Sequence, residues 1–176
     1  SKYWPSLVDI NGTTTSVGFG FGTASGTDSY NGPAGATSTD TNSPDYYVTK
    51  VTNTTVDAAA LGDLGATNAV FDFYTSTNTF TIQGLDPAKT YTVTFFASHK
   101  YADAYAGLST YTVYTSNDYS TVVASDTLAH NDEPIDGPSA AWKHNQDRTV
   151  SIENVSPQYA NSLWIRSVGY INALKI

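Results

Sequence analysis

The chain has 176 residues and a formal net charge of −8, and only 14% of its residues are charged against 40% that are hydrophobic. This length suits one domain, residues 1–176, whose core is large enough to do without disulfides, and the chain has no cysteine. The acidic balance argues against binding to nucleic acid or to an anionic membrane surface, and no apolar run approaches the ~20 residues of a membrane-spanning helix.

Short runs rich in Thr, Val, Ile, Tyr and Phe recur along the chain between Gly, Pro, Asn or Asp residues, a pattern typical of β-strands. The predicted strands, in chain order, are residues 5–10, 46–52, 68–74, 78–84, 90–98, 109–115, 120–125, 148–155, 162–168 and 170–176. Residues 11–45 predict one long irregular connection, in which the Gly-Phe run 18–22 is a strand or a loop edge. Only residues 54–65 have helical character, enough for one or two turns. The order predicts an all-β fold, a β-sandwich or jelly roll with long connecting loops and at most a short helix.

Two segments have the residue composition of known turn types. The STN run at 76–78 predicts a tight hairpin between the flanking strands. Asp86 followed by Pro87 predicts a type I turn that leads the chain into the next strand.

The alternation of polar and apolar residues predicts which side chains face the core. In the strand 90–98 it places Tyr91, Val93 and Phe95 on the inner face. In the strand 162–168 it points Trp164 and Arg166 outward. A tryptophan there is either covered by a loop or part of a binding face, and we assign Trp164 to packing first, as we do Trp4.

Motifs for catalysis are mostly absent from the sequence. There is no G-x-S-x-G nucleophile elbow, H-E-x-x-H zinc motif or P-loop, and the three histidines share no zinc-ligand spacing. Convergence of two of the sixteen acidic residues into a glycosidase pair remains open. A lyase remains open as well, because His99, Tyr101, His144 and Arg148 supply the residue types that a site for proton abstraction requires.

Four segments of the C-terminal half carry a resemblance to a known family. They are IQGLDPAKTYTVTFFASHK at 82–100, YTVYTSN at 111–117, VSIENVSPQYANSLWIR at 150–166 and GYINALKI at 169–176. Together they resemble non-catalytic carbohydrate-binding modules of the galactose-binding-like jelly-roll type, which accompany bacterial carbohydrate-active enzymes. The resemblance is poor over the first 60 residues.

The resemblance implies a secreted, extracellular module that binds a polysaccharide and targets a covalently linked catalytic domain to it. We also expect a monomer that neither binds nucleic acid nor inserts into a membrane. Many related sandwiches hold a structural calcium ion, for which Asp9 in the VDING run is the candidate ligand. No other cofactor is expected.

Sugar recognition combines aromatic rings, which stack on the apolar face of a pyranose, with a few placed polar groups. Two segments have this composition, 99–105 and 137–148. The predicted carbohydrate-binding residues are Trp142, Tyr101 and Tyr105 for stacking, and His99, Lys100, Asp103, His144, Asn145 and Arg148 for hydrogen bonds.

This site requires that the two segments lie at the same end of the fold. If they do, Lys100, Lys143 and Arg148 form a small basic island that would suit a uronic or sulfated polymer. The identity of the glycan stays open. The alternative functions are a small jelly-roll polysaccharide lyase or glycoside hydrolase that uses the same loops, and a structural or adhesive domain without a small ligand.

Overall fold

The computed structural model describes residues 3–22, 27–29, 58–65, 72–98, 107–130, 145 and 147–176. Within these ranges the chain forms eleven strands and one helical turn, α1 (Ala58–Leu61), which a 3₁₀ turn continues at Gly62–Gly65. The strands are β1 (Tyr3–Trp4), β2 (Gly18–Phe21), β3 (Thr27–Ser29), β4 (Asp72–Tyr74), β5 (Thr77–Gln83), β6 (Tyr91–Phe96), β7 (Leu108–Tyr114), β8 (Val122–Ala129), β9 (Val150–Val155), β10 (Leu163–Val168) and β11 (Ala173–Lys175). No helix in these ranges has the length and apolar character that a membrane span requires.

The strands form antiparallel sheets. The larger sheet has six strands in the order β1-β2-β5-β10-β7-β8, and the smaller one has three in the order β11-β6-β9. Strands β3 and β4 pair separately as a two-stranded ribbon. Several neighbours in the sheets are far apart in sequence, such as β5 and β10, so the sheets tie the two halves of the chain together.

The core is one cluster that takes side chains from both sheets. The alternation predicted for 90–98 is confirmed, because Val93 and Phe95 have no exposed surface, Tyr91 packs against the core, and Thr92 and Thr94 face the other side. Phe95 of the smaller sheet stacks on Tyr111 of the larger one, with ring centroids 4.4 Å apart and planes 2° from parallel. The other members drawn from the strands include Phe80, Ile82, Val113, Ile152, Val155, Leu163 and Ile165.

The prediction of an all-β fold with at most a short helix is therefore confirmed. The helical turns at 58–65 lie within the segment predicted to be helical. They cover the outer face of the smaller sheet, where Leu61 and Leu64 pack on Phe96. The finer prediction, a sandwich or jelly roll, stays a prediction, and the core shared by the two sheets supports it.

The predicted hairpin at 76–78 is wrong. Strand β4 pairs with β3, whereas β5 pairs with β2 and β10, so the residues between β4 and β5 connect two different sheets. Ser76 has a left-handed φ of 66°, and its carbonyl accepts a hydrogen bond from the Gly169 amide at 2.9 Å. The segment has the composition of a hairpin turn, but its partners come from distant parts of the chain.

The predicted turn at Asp86-Pro87 is confirmed. The Lys89 amide donates to the Asp86 carbonyl at 3.1 Å, and the Asp86 carboxylate accepts from the Ala88 amide at 2.9 Å. The Tyr91 hydroxyl accepts from the Asp86 amide at 2.7 Å, which fixes the entry into β6.

The N-terminal segment differs from its prediction. Residues 5–10 do not form a strand, because only Val8 makes an isolated bridge, with Thr14. The glycine-phenylalanine run is strand β2, so residues 11–45 are not one uninterrupted loop. The predicted strand 46–52 lies outside the described residues, as do residues 68–71 of the next predicted strand.

Candidate functional site

Most of the predicted sugar-contacting residues fall outside the described ranges. These are His99, Lys100, Tyr101, Asp103, Tyr105, Trp142 and His144, and only Asn145 and Arg148 of the predicted set are described. The structure does describe Ser98 and Gly107, on either side of the first predicted segment, and Asn145, Asp147 and Arg148 at the end of the second.

Residues at the ends of two connections meet in the fold. The first connection contains the predicted segment 99–105 and runs from Ser98 to Gly107; the second contains most of the predicted segment 137–148 and runs from His130 to Asn145. The His130 amide donates to the Gly107 carbonyl at 3.0 Å, and the Asn145 amide donates to the His130 carbonyl at 3.0 Å. The Asn145 side-chain amide donates to the Ala97 carbonyl at 2.9 Å. We call the set Ala97, Gly107, His130 and Asn145 the loop base.

His130 is the centre of the loop base. Its side chain is only 4% exposed, and its Nδ1 lies 3.0 Å from the Ser109 hydroxyl, which also accepts the Tyr170 amide at 2.8 Å. A Cβ on Gly107 would overlap the imidazole ring, so glycine is required at the point where the chain enters β7. Because Ser109 has no exposed surface, this serine–histidine pair supports the fold and is closed to a substrate.

A third part of the chain meets the loop base through Tyr170. The Tyr170 ring lies 4.5 Å from the His130 ring and 5.0 Å from the ring of Phe73 in β4. The Tyr170 carbonyl accepts a 2.6 Å hydrogen bond from the Tyr111 hydroxyl. Burial raises the pKa of Tyr111, outweighing the opposite influence of its hydrogen bond with Ser109, so the hydroxyl remains a proton donor at neutral pH.

Asn145 supports the loop base from within. It is 1% exposed, and its amide nitrogen donates to the carbonyls of Ala97 and Arg148. Its Oδ1 accepts from the Arg148 amide at 2.9 Å and from the Arg148 Nε at 3.3 Å. These bonds use the hydrogen-bonding groups of Asn145 internally, so this environment does not support the predicted hydrogen bond to a sugar. Arg148, whose side chain is 43% exposed, lies at the surface of the loop base.

Asp9, the predicted calcium ligand, caps a turn. Its Oδ1 accepts from the Asn11 amide at 2.9 Å and from the Thr13 amide at 2.8 Å. In the described part of the chain, no three His, Cys, Asp or Glu side chains come together as a metal site would require. The local role of Asp9 is therefore to hold residues 9–13 in a turn.

The outer face of the larger sheet carries residues that the sequence prediction assigned to no site. Trp164 and Arg166 project there, as the alternation predicted, and Trp164 is 8% exposed beneath the ring of Tyr159 at 5.9 Å. Tyr114 and Tyr119 flank Arg166. The pattern of residues 162–168 gave the signal for Arg166, but the pairing of β10 with β7, which brings Tyr114 beside it, is a long-range property.

Two concavities lie elsewhere. A groove of about 470 Å³ runs between residues 7–17, the 3₁₀ turn and β11, and a cavity of about 180 Å³ opens between β2, β5 and β11. Their linings are mostly apolar, with Phe19, Phe21 and Phe80 in the smaller one. Neither has the mixture of aromatic and convergent polar groups that sugar recognition requires.

The fold and the loop base define an all-β protein of antiparallel sheets in which two aromatic, polar connections start and finish at one place. Comparison of the chain with protein-family models, with curated proteins and with solved structures finds no match in any of the three.

Proposed function

We propose that the protein is a non-catalytic carbohydrate-binding module. The observation that carries the proposal is the loop base, whose hydrogen bonds join the ends of the two connections that contain the predicted sugar-contacting residues. The proposal requires that side chains on these two connections contact one oligosaccharide. In this proposal Trp142, Tyr101 and Tyr105 stack on sugar rings.

The composition of these segments supports sugar over other ligands. Aromatic side chains with polar edges, beside Lys, Asp, His and Arg, supply both the stacking and the hydrogen bonds that a glycan needs. The buried Ser109–His130 pair gives no support to catalysis at the loop base. The proposal includes that the module is secreted and covalently linked to a catalytic domain.

The test is retention on a panel of neutral, uronic and sulfated polysaccharides, measured for the wild type and for Trp142→Ala. We expect retention of the wild type on at least one glycan and its loss in Trp142→Ala. Trp4→Phe is the matched control, because Trp4 is 45% exposed and packs on Phe19 and Phe21, away from the loop base. Unchanged far-UV circular dichroism of both variants would show that the fold is intact.

Two results would overturn the proposal. Failure of the wild type to bind any glycan of the panel would favour a structural or adhesive domain. Release of sugar products on prolonged incubation, lost in His144→Ala or Tyr101→Ala, would favour a lyase or hydrolase.

A further inference from the structure

The outer face of the larger sheet contains an arginine, Arg166, that has no acidic partner among the residues the structure describes. Arg166 lies on β10 between Ile165 and Ser167, which face the core, so its side chain projects from the opposite face. Within the ranges that the structure describes, its guanidinium makes neither an ion pair nor a side-chain hydrogen bond. The protein has only two arginines, and the other, Arg148, lies at the loop base.

Two tyrosine rings hold this guanidinium. The Arg166 Cζ lies 5.6 Å from the ring centroid of Tyr114 and 5.2 Å from that of Tyr119, within the range of cation–π attraction. The two rings meet edge to face at 5.2 Å, so they form one aromatic corner around the cation. A cation–π contact does not use the N–H donors of the guanidinium, which therefore remain for an acceptor.

The backbone at Tyr119 is strained in the conformation that delivers this ring. Tyr119 has a φ of 58°, a left-handed value that is uncommon for a bulky residue. The turn is held by Ser116, whose hydroxyl accepts the amides of Ser120 and Thr121, and by Asp118, which accepts the hydroxyl of Ser120 at 2.7 Å. Strained residues fixed by their surroundings are typical of binding and functional sites.

The neighbours of Arg166 suit a sugar. Thr79 of β5 and Thr112 of β7 lie directly opposite it in the register and therefore on the same face of the sheet. Further along this face Trp164 pairs with Tyr114, and above Trp164 lies Tyr159, which is 56% exposed. The face thus offers threonine side chains, the partly exposed ring of Tyr119 and the exposed ring of Tyr159 on the same side of the sheet as Arg166.

We propose that this face is a second binding site, specific for a sugar that carries a carboxylate, such as a uronic acid residue of a polysaccharide. Arg166 binds the carboxylate in a bidentate manner, since its planar fork matches the two oxygens. Tyr119 and Tyr159 contact the ring of the sugar, and the threonine hydroxyls bind its hydroxyl groups. The residues of this site are separate from those of the loop base, so the second site can be tested independently of the proposed function.

The test follows the Arg166 Nε–H signal by NMR while a uronic acid oligosaccharide is added. Two Nε–H signals are expected from the two arginines, and Arg166→Lys assigns the one that disappears. We expect this signal to shift with the acid and not with its methyl ester, which has the same shape without the charge. Affinity should fall at least about tenfold in Arg166→Gln and also in Arg166→Lys, which keeps the charge but loses the fork.

Two control variants separate the site from general effects. Lys89→Gln removes one positive charge from an exposed side chain elsewhere and should leave the affinity unchanged. Tyr119→Phe keeps both the ring and its place over Arg166 and should bind the acid, whereas Tyr119→Asn relieves the strain but should bind weakly.

Three results would overturn the proposal. The first is that the Arg166 signal responds equally to the acid and to its methyl ester. The second is that a sulfated oligosaccharide without carboxylates binds as tightly as the uronic acid oligosaccharide or more tightly. The third is that the Arg166 signal no longer responds to the acid in Trp142→Ala. The last would show that the sugar is bound at the loop base and not on this face. If Trp142→Ala no longer bound neutral glycans while its Arg166 signal still responded to the acid, this would instead confirm two separate sites.

Discussion

Single residues at the loop base are set by long-range contacts that their local sequence does not reveal. Asn145 was predicted to bind sugar because it follows Trp142 in a polar run, yet its side chain ties that run to Ala97, directly after strand β6. Gly107 carries no visible motif, although the imidazole of His130 occupies the place of its side chain. The types of residue in the candidate loops were readable from the sequence, and the supporting role of Asn145 was not.

Replacing Gly107 with alanine should destabilise the protein by about 1–3 kcal/mol, because the new methyl group would overlap the buried His130 ring. Urea unfolding followed by circular dichroism measures the change. In a His130→Ala background the ring is absent, so the same substitution should have a much smaller effect. An equal loss in both backgrounds would contradict the steric explanation.

At the scale of elements, alternation predicted the strands well where one face is buried. Strands β5, β6, β7, β9 and β10 lie within one or two residues of their predicted positions, since apolar side chains on one face specify both the strand and its orientation. Prediction failed where pairing partners mattered. The sequence STN resembles a hairpin turn, but β4 finds its partner in β3, and no local pattern contains that information.

Tyr111, which stacks on Phe95 between the two sheets, has a buried hydroxyl that predicts a specific pH dependence of stability. At neutral pH, Tyr111→Phe should cost about 1–2 kcal/mol, because the Tyr170 carbonyl loses its donor. Burial raises the pKa of Tyr111, so its contribution to wild-type stability is complete below the ordinary value of 10.0 and is lost as the pH rises above it. The stability difference between wild type and variant should therefore narrow above pH 10.

Urea unfolding of both proteins across this pH range is the measurement. Because other tyrosines ionise equally in the two proteins, their effect cancels in the difference. A constant difference would show that the Tyr111 hydroxyl is not buried as the structure places it.

For the molecule as a whole, the core cluster that the two sheets share predicts one folding unit. Since both sheets contribute side chains to it, neither can lose its packing without exposing the other. The chain should therefore unfold in one transition, with tryptophan fluorescence and far-UV circular dichroism giving the same midpoint. Two separated transitions would contradict the prediction of a single domain over residues 1–176.

A pair of variants on β10 sharpens this expectation. Ile165 has no exposed surface, so Ile165→Ala should lower the free energy of unfolding by about 2–5 kcal/mol. The unfolding midpoints measured by fluorescence and by circular dichroism should fall together. Val168 is on the same strand and 47% exposed, and Val168→Ala should change stability by no more than about 0.5 kcal/mol.

The loop base has a consequence for how this protein can diversify. Its hydrogen bonds close the two connections at their ends, using backbone groups and the Asn145 side chain, and none of these bonds depends on the sequence in between. Lengthening a closed loop lowers stability only slightly, by about 0.6 kcal/mol for each doubling of the loop length. We therefore expect the fold to tolerate changes of sequence and length between Ser98 and Gly107 and between His130 and Asn145. If the proposed function is correct, random libraries at these two positions would yield variants with different ligand specificity.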